Sequence, residues 1–193
     1  PEFYQAISQN GHAVNFGTMI GQGTLRDYVI GKSDRAATKE DIQKMQQLLK
    51  SAVDNGAWGI SSGLEYTPGS FAPTEEIAEV ASVLKRNNFP YTTHMRSESD
   101  KLIEAIEEAI QISKGAGIPL HISHLKVEGK RNWHKADQVF ETIAAAEKDG
   151  LQVTFDRYTY VAYNTGLSNL FPIWAREGGT DKFLERLNDK TQL

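Results

Sequence analysis

This sequence of 193 residues predicts an α/β fold built on a parallel sheet of about five strands. Three observations carry that expectation. Short apolar or β-branched runs alternate with amphipathic helical stretches, in units of roughly 30–40 residues. Most helical stretches end on glycine or asparagine before the next run. The runs lack a clean polar/apolar alternation, as expected of strands covered on both faces.

The elements follow in order. "AVNFGTMIG" reads as the first strand, ending near Gln22. In "TKEDIQKMQQLLKSAVDNG", Ile42, Met45, Leu49 and Ala52 share one helical face. Thr38 with Asp41 forms a capping box, and Gly56 supplies the stop. "AWGISSGL" is the second strand, and the turn-forming "SSGLEYTPGS" after it carries Glu65 and Tyr66. "PTEEIAEVASVLKRNN" is a helix capped by Thr74 that buries Ile77, Val80, Ala81 and Leu84. "PYTTHM" is the third strand and ends on His94. "SESDKLIEAIEEAIQISKG" presents Ile103, Ile106 and Ile110 and stops at Gly115. "IPLHISHL" is the fourth strand, with His124 at its end. "KADQVFETIAAAEKDG" presents Ala136, Val139, Phe140 and Ile143. "LQVTFDRY" is the fifth strand, leading to Asp156, Tyr158 and Tyr160. After Leu167, "SNLFPIWAREGGTDKFLERL" breaks the unit length and reads as an insertion or lid.

Composition bounds the functional classes. Net charge is -4, which does not favour nucleic-acid or anionic-membrane binding. There is no cysteine, so disulfides and thiolate ligands are excluded within the sequence. No apolar run reaches the ~20 residues of a membrane helix. No signal peptide is visible, and a cytoplasmic location is expected. Pro1 at the start and the polar "NDKTQL" at the end read as a piece of a longer protein.

Chemistry in parallel sheets collects at the carboxyl ends of strands. There the sequence places two histidines 30 residues apart, each with a basic residue two positions on. Neighbouring parallel strands lie ~4.8 Å apart. His94 and His124 at equivalent ends can therefore both reach one zinc ion at ~2.0–2.1 Å. A period of two puts His124 on the face of Leu120 and Ile122, and His121 on the other. Asp156 is either an acceptor that orients an imidazole or a turn cap. Arg96 and Lys126 either hold a substrate carboxylate or form solvated salt bridges. Tyr158 and Tyr160 either hydrogen-bond a substrate oxygen or pack as wall. Glu65 reads as a surface or hydrogen-bonding group. "GQGTLR" lacks GxGxxG and is a weak dinucleotide signal. His12 and His134 carry no signal.

"GTLR", "GISSGLEYTPGS", "THMRSE", "ISHLKVEGKRNW" and "DRYTYVAYNTGL" occur in that order between Asn15 and Trp174. Together they resemble the D-aminoacylase (N-acyl-D-amino-acid deacylase) family of the amidohydrolase superfamily. The resemblance implies a partial TIM-type (β/α)8 barrel, with barrel strands three to seven in this sequence. Residues 1–166 would be the central part of the barrel and 167–193 the start of the insertion or lid. It implies zinc bound by His94 and His124, and substrate contacts from Tyr66, Lys126, Tyr158 and Tyr160. The implied reaction is hydrolysis of the amide of a small N-acyl-D-amino acid. The family's first-strand His-x-His pair, its bridging ligand and its catalytic aspartate would fall outside the sequence. No catalytic set is then complete within it, and this chain alone is expected to be inactive. Gln22 stands where many relatives carry histidine, and "DRYTYVAYN" replaces the usual "DxYPYTAGS", which changes the pocket near Tyr163 and Asn164. Five strands cannot close a barrel, so a homo-oligomer, with a dimer favoured, is expected to cover the open sheet. The competing cover is the last segment, with Phe171 and Trp174 as plugs. Two other functional classes stay open: a non-catalytic folding, oligomerisation or ligand-binding module, and an unrelated phosphate-binding α/β domain.

Overall fold

The computed structural model describes residues 2–189 and 191. Five strands form one all-parallel sheet in sequential order: β1 (Thr18–Gly21), β2 (Ala57–Gly63), β3 (Tyr91–His94), β4 (Leu120–Ile122) and β5 (Val153–Phe155). Between them run α2 (Gln22–Val29), α3 (Lys39–Asp54), α4 (Thr74–Ala81), α5 (Leu102–Ala116) and α6 (Ala136–Lys148), with α1 (Glu2–Asn10) before β1 and α7 (Thr180–Asn188) after β5. The alternation of strand and helix in the sequence is thus the alternation in the fold.

The helices cover one face of the sheet. Tyr91, Leu120 and Val153 lie in register across β3–β5 and are buried against them. The next row, Thr92, His121 and Thr154, points the other way and is partly or fully exposed. β3 and β4 therefore alternate cleanly, unlike the two-sided burial expected from the sequence, because no layer covers this face among the described residues. The core between sheet and helices is built from Ile60, Ile77, Leu84, Ile106, Ile112 and their neighbours. Gly59, inside β2, shows how tightly the strands meet. Its φ is +154°, and a Cβ there would stand 2.4 Å from the Pro90 carbonyl oxygen.

Local chemistry differs from the sequence reading at five places. Thr74 does not cap α4; Pro73 holds the cap position, and the Thr74 hydroxyl donates to Glu108 at 3.0 Å. α5 runs one residue past Gly115 and stops at Gly117, whose φ of +69° suits the left-handed cap. Phe140 is 56% exposed and packs its ring on Phe155 at the open edge instead of joining the core. α2 begins where β1 was expected to end, at Gln22. α1, which buries no residue, was not foreseen. The Thr38–Asp41 capping box, by contrast, is present in full.

The last segment forms two 3-10 turns, Leu167–Leu170 and Ile173–Arg176, followed by α7. It contacts the loops after α2 and β2: the Gly178 N–H donates to the Lys32 carbonyl at 2.9 Å, and Arg176 donates to the Glu65 carbonyl at 3.0 Å. Phe171 packs edge-on against Phe183 at 5.1 Å, and Trp174 is 54% exposed. Phe171 is thus engaged within its own segment.

Candidate metal centre

His94 ends β3 on the face away from the helices, because it follows Thr92 by two positions on the strand. The route to His124 is different. β4 stops at Ile122, and strand parity would send residue 124 to the helix side. A turn intervenes, and His124 itself takes a left-handed φ of +41°. That backbone costs roughly 1–2 kcal/mol for a residue with a Cβ. It reverses the side-chain direction and brings His124 to His94, with Nδ1 of His94 3.1 Å from Nε2 of His124. The expectation that His124 shares a face with Leu120 and Ile122 is therefore corrected by the turn. The turn is held from β5: the Asp156 carboxylate accepts the His124 backbone N–H at 2.7 Å, and the Asp156 carbonyl accepts that of Leu125 at 3.0 Å.

Each imidazole has a carboxylate behind it. Glu65 lies 2.8 Å from His94 Nε2, and Glu98 lies 3.0 Å from His124 Nδ1. An ionised carboxylate only accepts, so Nε2 of His94 carries its hydrogen, whereas Nδ1 of His124 meets both an acceptor, Glu98, and a donor, the Lys126 ammonium. Nδ1 of His94 faces Nε2 of His124 at 3.1 Å, a contact that a shared proton or a bridging cation satisfies. Two ligands at ~2.0–2.1 Å on a tetrahedral ion stand about 3.3–3.4 Å apart. The observed spacing lies within a few tenths of an ångström of that, so the pair fits a metal without rearrangement. The carboxylate–imidazole arrangement is also the usual support for metal-binding histidines. Glu98, only 5% exposed, brings a carboxylate oxygen into a group with both rings whose ligand atoms lie within 4.8 Å of one another. The hydrogen bond from His94 holds the Glu65 carboxyl below its ordinary pKa, against the opposing effect of burial.

Lys126 closes the cluster. Its ammonium donates to Glu98, stands 2.9 Å from His124 Nδ1, and lies over the rings of Tyr158 and Tyr163 at 5.3 and 5.9 Å. Tyr66 leans on the His94 ring at 4.9 Å and its hydroxyl pairs with Thr165 at 3.1 Å. Tyr158 lies 6.1 Å from the His124 ring, and its hydroxyl is buried without a partner. Tyr160 is 75% exposed at the rim of a cleft beside this group.

Two expected site residues have other partners. Arg96 is turned toward α5, where Glu108 accepts from its Nε and Nη2 at 2.8 Å each. Its Nη1 and Nη2 also donate to the Ser70 and Ala72 carbonyls at 2.7 and 2.9 Å. These bonds occupy the fork that would clasp a carboxylate, so Arg96 braces the loop after β2 and does not face the imidazoles. Asp156 orients an imidazole, but that of His121, whose Nε2 is 2.8 Å away, and this contact first of all lowers the Asp156 pKa. Its link to His124 runs through the backbone. Glu98 was missed as a member of the cluster. It is the last residue of "THMRSE", beyond the strand, where no periodicity reports side-chain direction.

No protein-family model matches the chain. The D-aminoacylase of Alcaligenes xylosoxydans xylosoxydans is 39% identical over 166 residues, 86% of this chain and 34% of that protein. A crystal structure of D-aminoacylase, described as defining a novel subset of amidohydrolases, superposes with a TM-score of 0.73 at 41% identity, over 77% of this chain and 31% of that one. The N-acyl-D-glutamate deacylase of Bordetella bronchiseptica, complexed with zinc and a phosphonate inhibitor, superposes with a TM-score of 0.77 at 30% identity, over 82% of this chain and 33% of that one. The chain is thus homologous, along a stretch about a third as long as these proteins, to the D-aminoacylases and N-acyl-D-amino-acid deacylases of the amidohydrolases.

Proposed function

We propose that the protein carrying this chain hydrolyses N-acyl-D-amino acids with a bound zinc ion, and that His94 and His124 are two of its ligands. One observation carries the reading: two imidazole nitrogens face each other at 3.1 Å, each ring backed by a carboxylate, at the carboxyl ends of neighbouring parallel strands. A divalent metal held there would supply Lewis acidity, polarising the acyl carbonyl and easing deprotonation of the attacking water.

The chain's own residues do the positioning. Glu65 and Glu98 fix the orientations of the two rings. Lys126, already balanced by Glu98, places a positive charge beside the imidazole pair, where a substrate carboxylate or a developing negative charge is stabilised. Tyr66, Tyr158 and Tyr160 border the space a substrate would enter. Water adds to the acyl carbon and the C–N bond breaks, giving a carboxylate and a free D-amino acid. The base that takes the water's proton is not among the roles assigned to these residues, so the isolated chain is inactive under this reading.

Calorimetric titration with zinc tests it. Binding to the 193-residue chain near one equivalent, lost in both His94→Ala and His124→Asn, supports the site. Zinc binding that both variants leave unchanged would remove it. Chelator-sensitive release of a D-amino acid by the longer protein tests the reaction itself.

A further inference from the structure

His121 takes no part in the facing pair of imidazoles. It belongs to the row Thr92, His121, Thr154 that crosses β3–β5 on the face away from the helices. Asp156 follows Thr154 by two positions and meets His121 on that same face. The His121 ring is held at both nitrogens. Its Nδ1 pairs with the Thr154 hydroxyl at 2.8 Å, and its Nε2 with Oδ2 of Asp156 at 2.8 Å. An ionised carboxylate only accepts, so this Nε2 carries the hydrogen. The other oxygen, Oδ1, accepts the backbone N–H of His124 at 2.7 Å. One carboxylate thus joins the ring of one histidine to the backbone of another.

The physical need for that join lies in exposure and strain. The Asp156 side chain is 60% exposed, so water competes for both oxygens and the carboxylate can turn about its own bond. The backbone it pins is left-handed at His124, which a residue with a Cβ holds only where its surroundings impose it. The His121 side chain is 27% exposed and springs from β4, an inner strand of the sheet. Fixing Oδ2 on that rigid element leaves Oδ1 aimed at the His124 amide.

We infer that His121 is a positioning residue for His124: through Asp156 it holds the turn that carries the His124 imidazole to His94. The inference rests on the metal-centre reading for its consequence, while the turn itself can be followed without metal. The rival is a His121 that only supplies polarity to the open face of the sheet.

The test compares His121→Gln, His121→Asn and His121→Ala in the 193-residue chain. The glutamine amide nitrogen takes the place of Nε2 and keeps the bond to Asp156. The asparagine amide stops at the place of Nδ1, on the Thr154 side. Hydrogen exchange of the His124 amide, followed by NMR on the metal-free chain, is expected to speed up at least about tenfold in the alanine and asparagine variants. In the glutamine variant it is expected to stay within about twofold of the parent. The amides of Ile60 and Tyr91, bonded to the Pro90 and Pro119 carbonyls, are expected to exchange as in the parent throughout, which separates local release from general instability. Titration with cobalt(II) is expected to show about tenfold weaker binding and an altered visible absorption spectrum in the alanine and asparagine variants, both restored by glutamine. The inference is overturned if asparagine restores as much as glutamine, if His124 exchange is unchanged in all three, or if Ile60 and Tyr91 accelerate equally. It is also overturned if exchange quickens while cobalt binding and spectrum stay parental. A parent chain that takes up no cobalt would sink the metal reading alone, and the exchange rates would still decide whether His121 holds the turn.

Discussion

Replacing Arg96 by lysine separates a framework role from a substrate role. The Arg96 side chain is 29% exposed and that of Glu108 15%. Arg96 makes four hydrogen bonds, two to the Glu108 carboxylate and two to the Ser70 and Ala72 carbonyls. A lysine ammonium keeps the charge and reaches one or two of these acceptors, but it lacks the planar fork. Two or three bonds are lost. Hydrogen bonds to charged groups contribute about 1.5–3 kcal/mol each, and those to neutral carbonyls about 1. Partial exposure lets water replace some of them, so Arg96→Lys is expected to destabilise the chain by roughly 2–4 kcal/mol. With a urea m-value of about 1–3 kcal/mol/M, the unfolding midpoint falls by roughly 1–2 M. Zinc affinity stays within about twofold of the parent, because the guanidinium touches neither imidazole. Urea titration followed by circular dichroism, paired with calorimetry, reads both quantities. An unchanged midpoint combined with weakened binding of an N-acyl-D-amino acid would refute the framework assignment and restore Arg96 as a carboxylate clasp.

Other outcomes follow from the same geometry. The buried pair Arg26–Glu76, at 0% and 4% side-chain exposure, meets at 2.5 Å, so Glu76→Gln is expected to cost about 3–5 kcal/mol by urea titration. The combined Arg26→Met, Glu76→Leu variant should recover most of that loss, and equal destabilisation of both would count against a charge origin. Asp100 is held down to about 2, first by Arg131 and then by Asn132. Its carboxyl is depressed in the fold, so its contribution is complete above the unfolded value near 3.9 and disappears as pH falls through about 2. Asp100→Asn should therefore flatten the acid limb of a stability–pH curve between those values, and an unchanged limb would exclude the brace. Among the described residues the sheet has β1 and β5 as open edges and one uncovered face, so the melting temperature is expected to rise with protein concentration as a dimer forms. Light scattering that returns a monomer at micromolar concentration would dismiss it.

The strands were readable because β-branched and apolar runs such as "YTTH" and "LHI" stand between glycine-ended helices. α2 was not, because "QGTLRDYV" starts without a break at the end of β1 and contains a glycine. The site divides similarly. His94 keeps strand parity, and its direction follows from Thr92. His124 does not, since its direction depends on a turn that no two-residue period describes. Arg96 and Lys126 occupy the same spacing after their histidines, yet their partners differ. One meets Glu108 on α5 and the other Glu98 in the loop after β3. The acids lie 12 and 28 residues from their basic partners, so spacing alone could not separate a brace from a member of the cluster.

The left-handed backbone at His124 decides how that position can be altered without disturbing its surroundings. Asparagine and glycine tolerate such a φ, whereas valine or isoleucine would resist it and drag the turn out of place. A histidine-to-asparagine exchange thus deletes the imidazole while sparing the chain path. Because Asp156 on the neighbouring β5 side grips the His124 amide, the imidazole's position is inherited across the sheet and not along its own strand. Asp156→Ala should therefore displace an imidazole it never touches. An engineer who wishes to retune this centre has a handle there that leaves every nitrogen and oxygen of the cluster chemically intact.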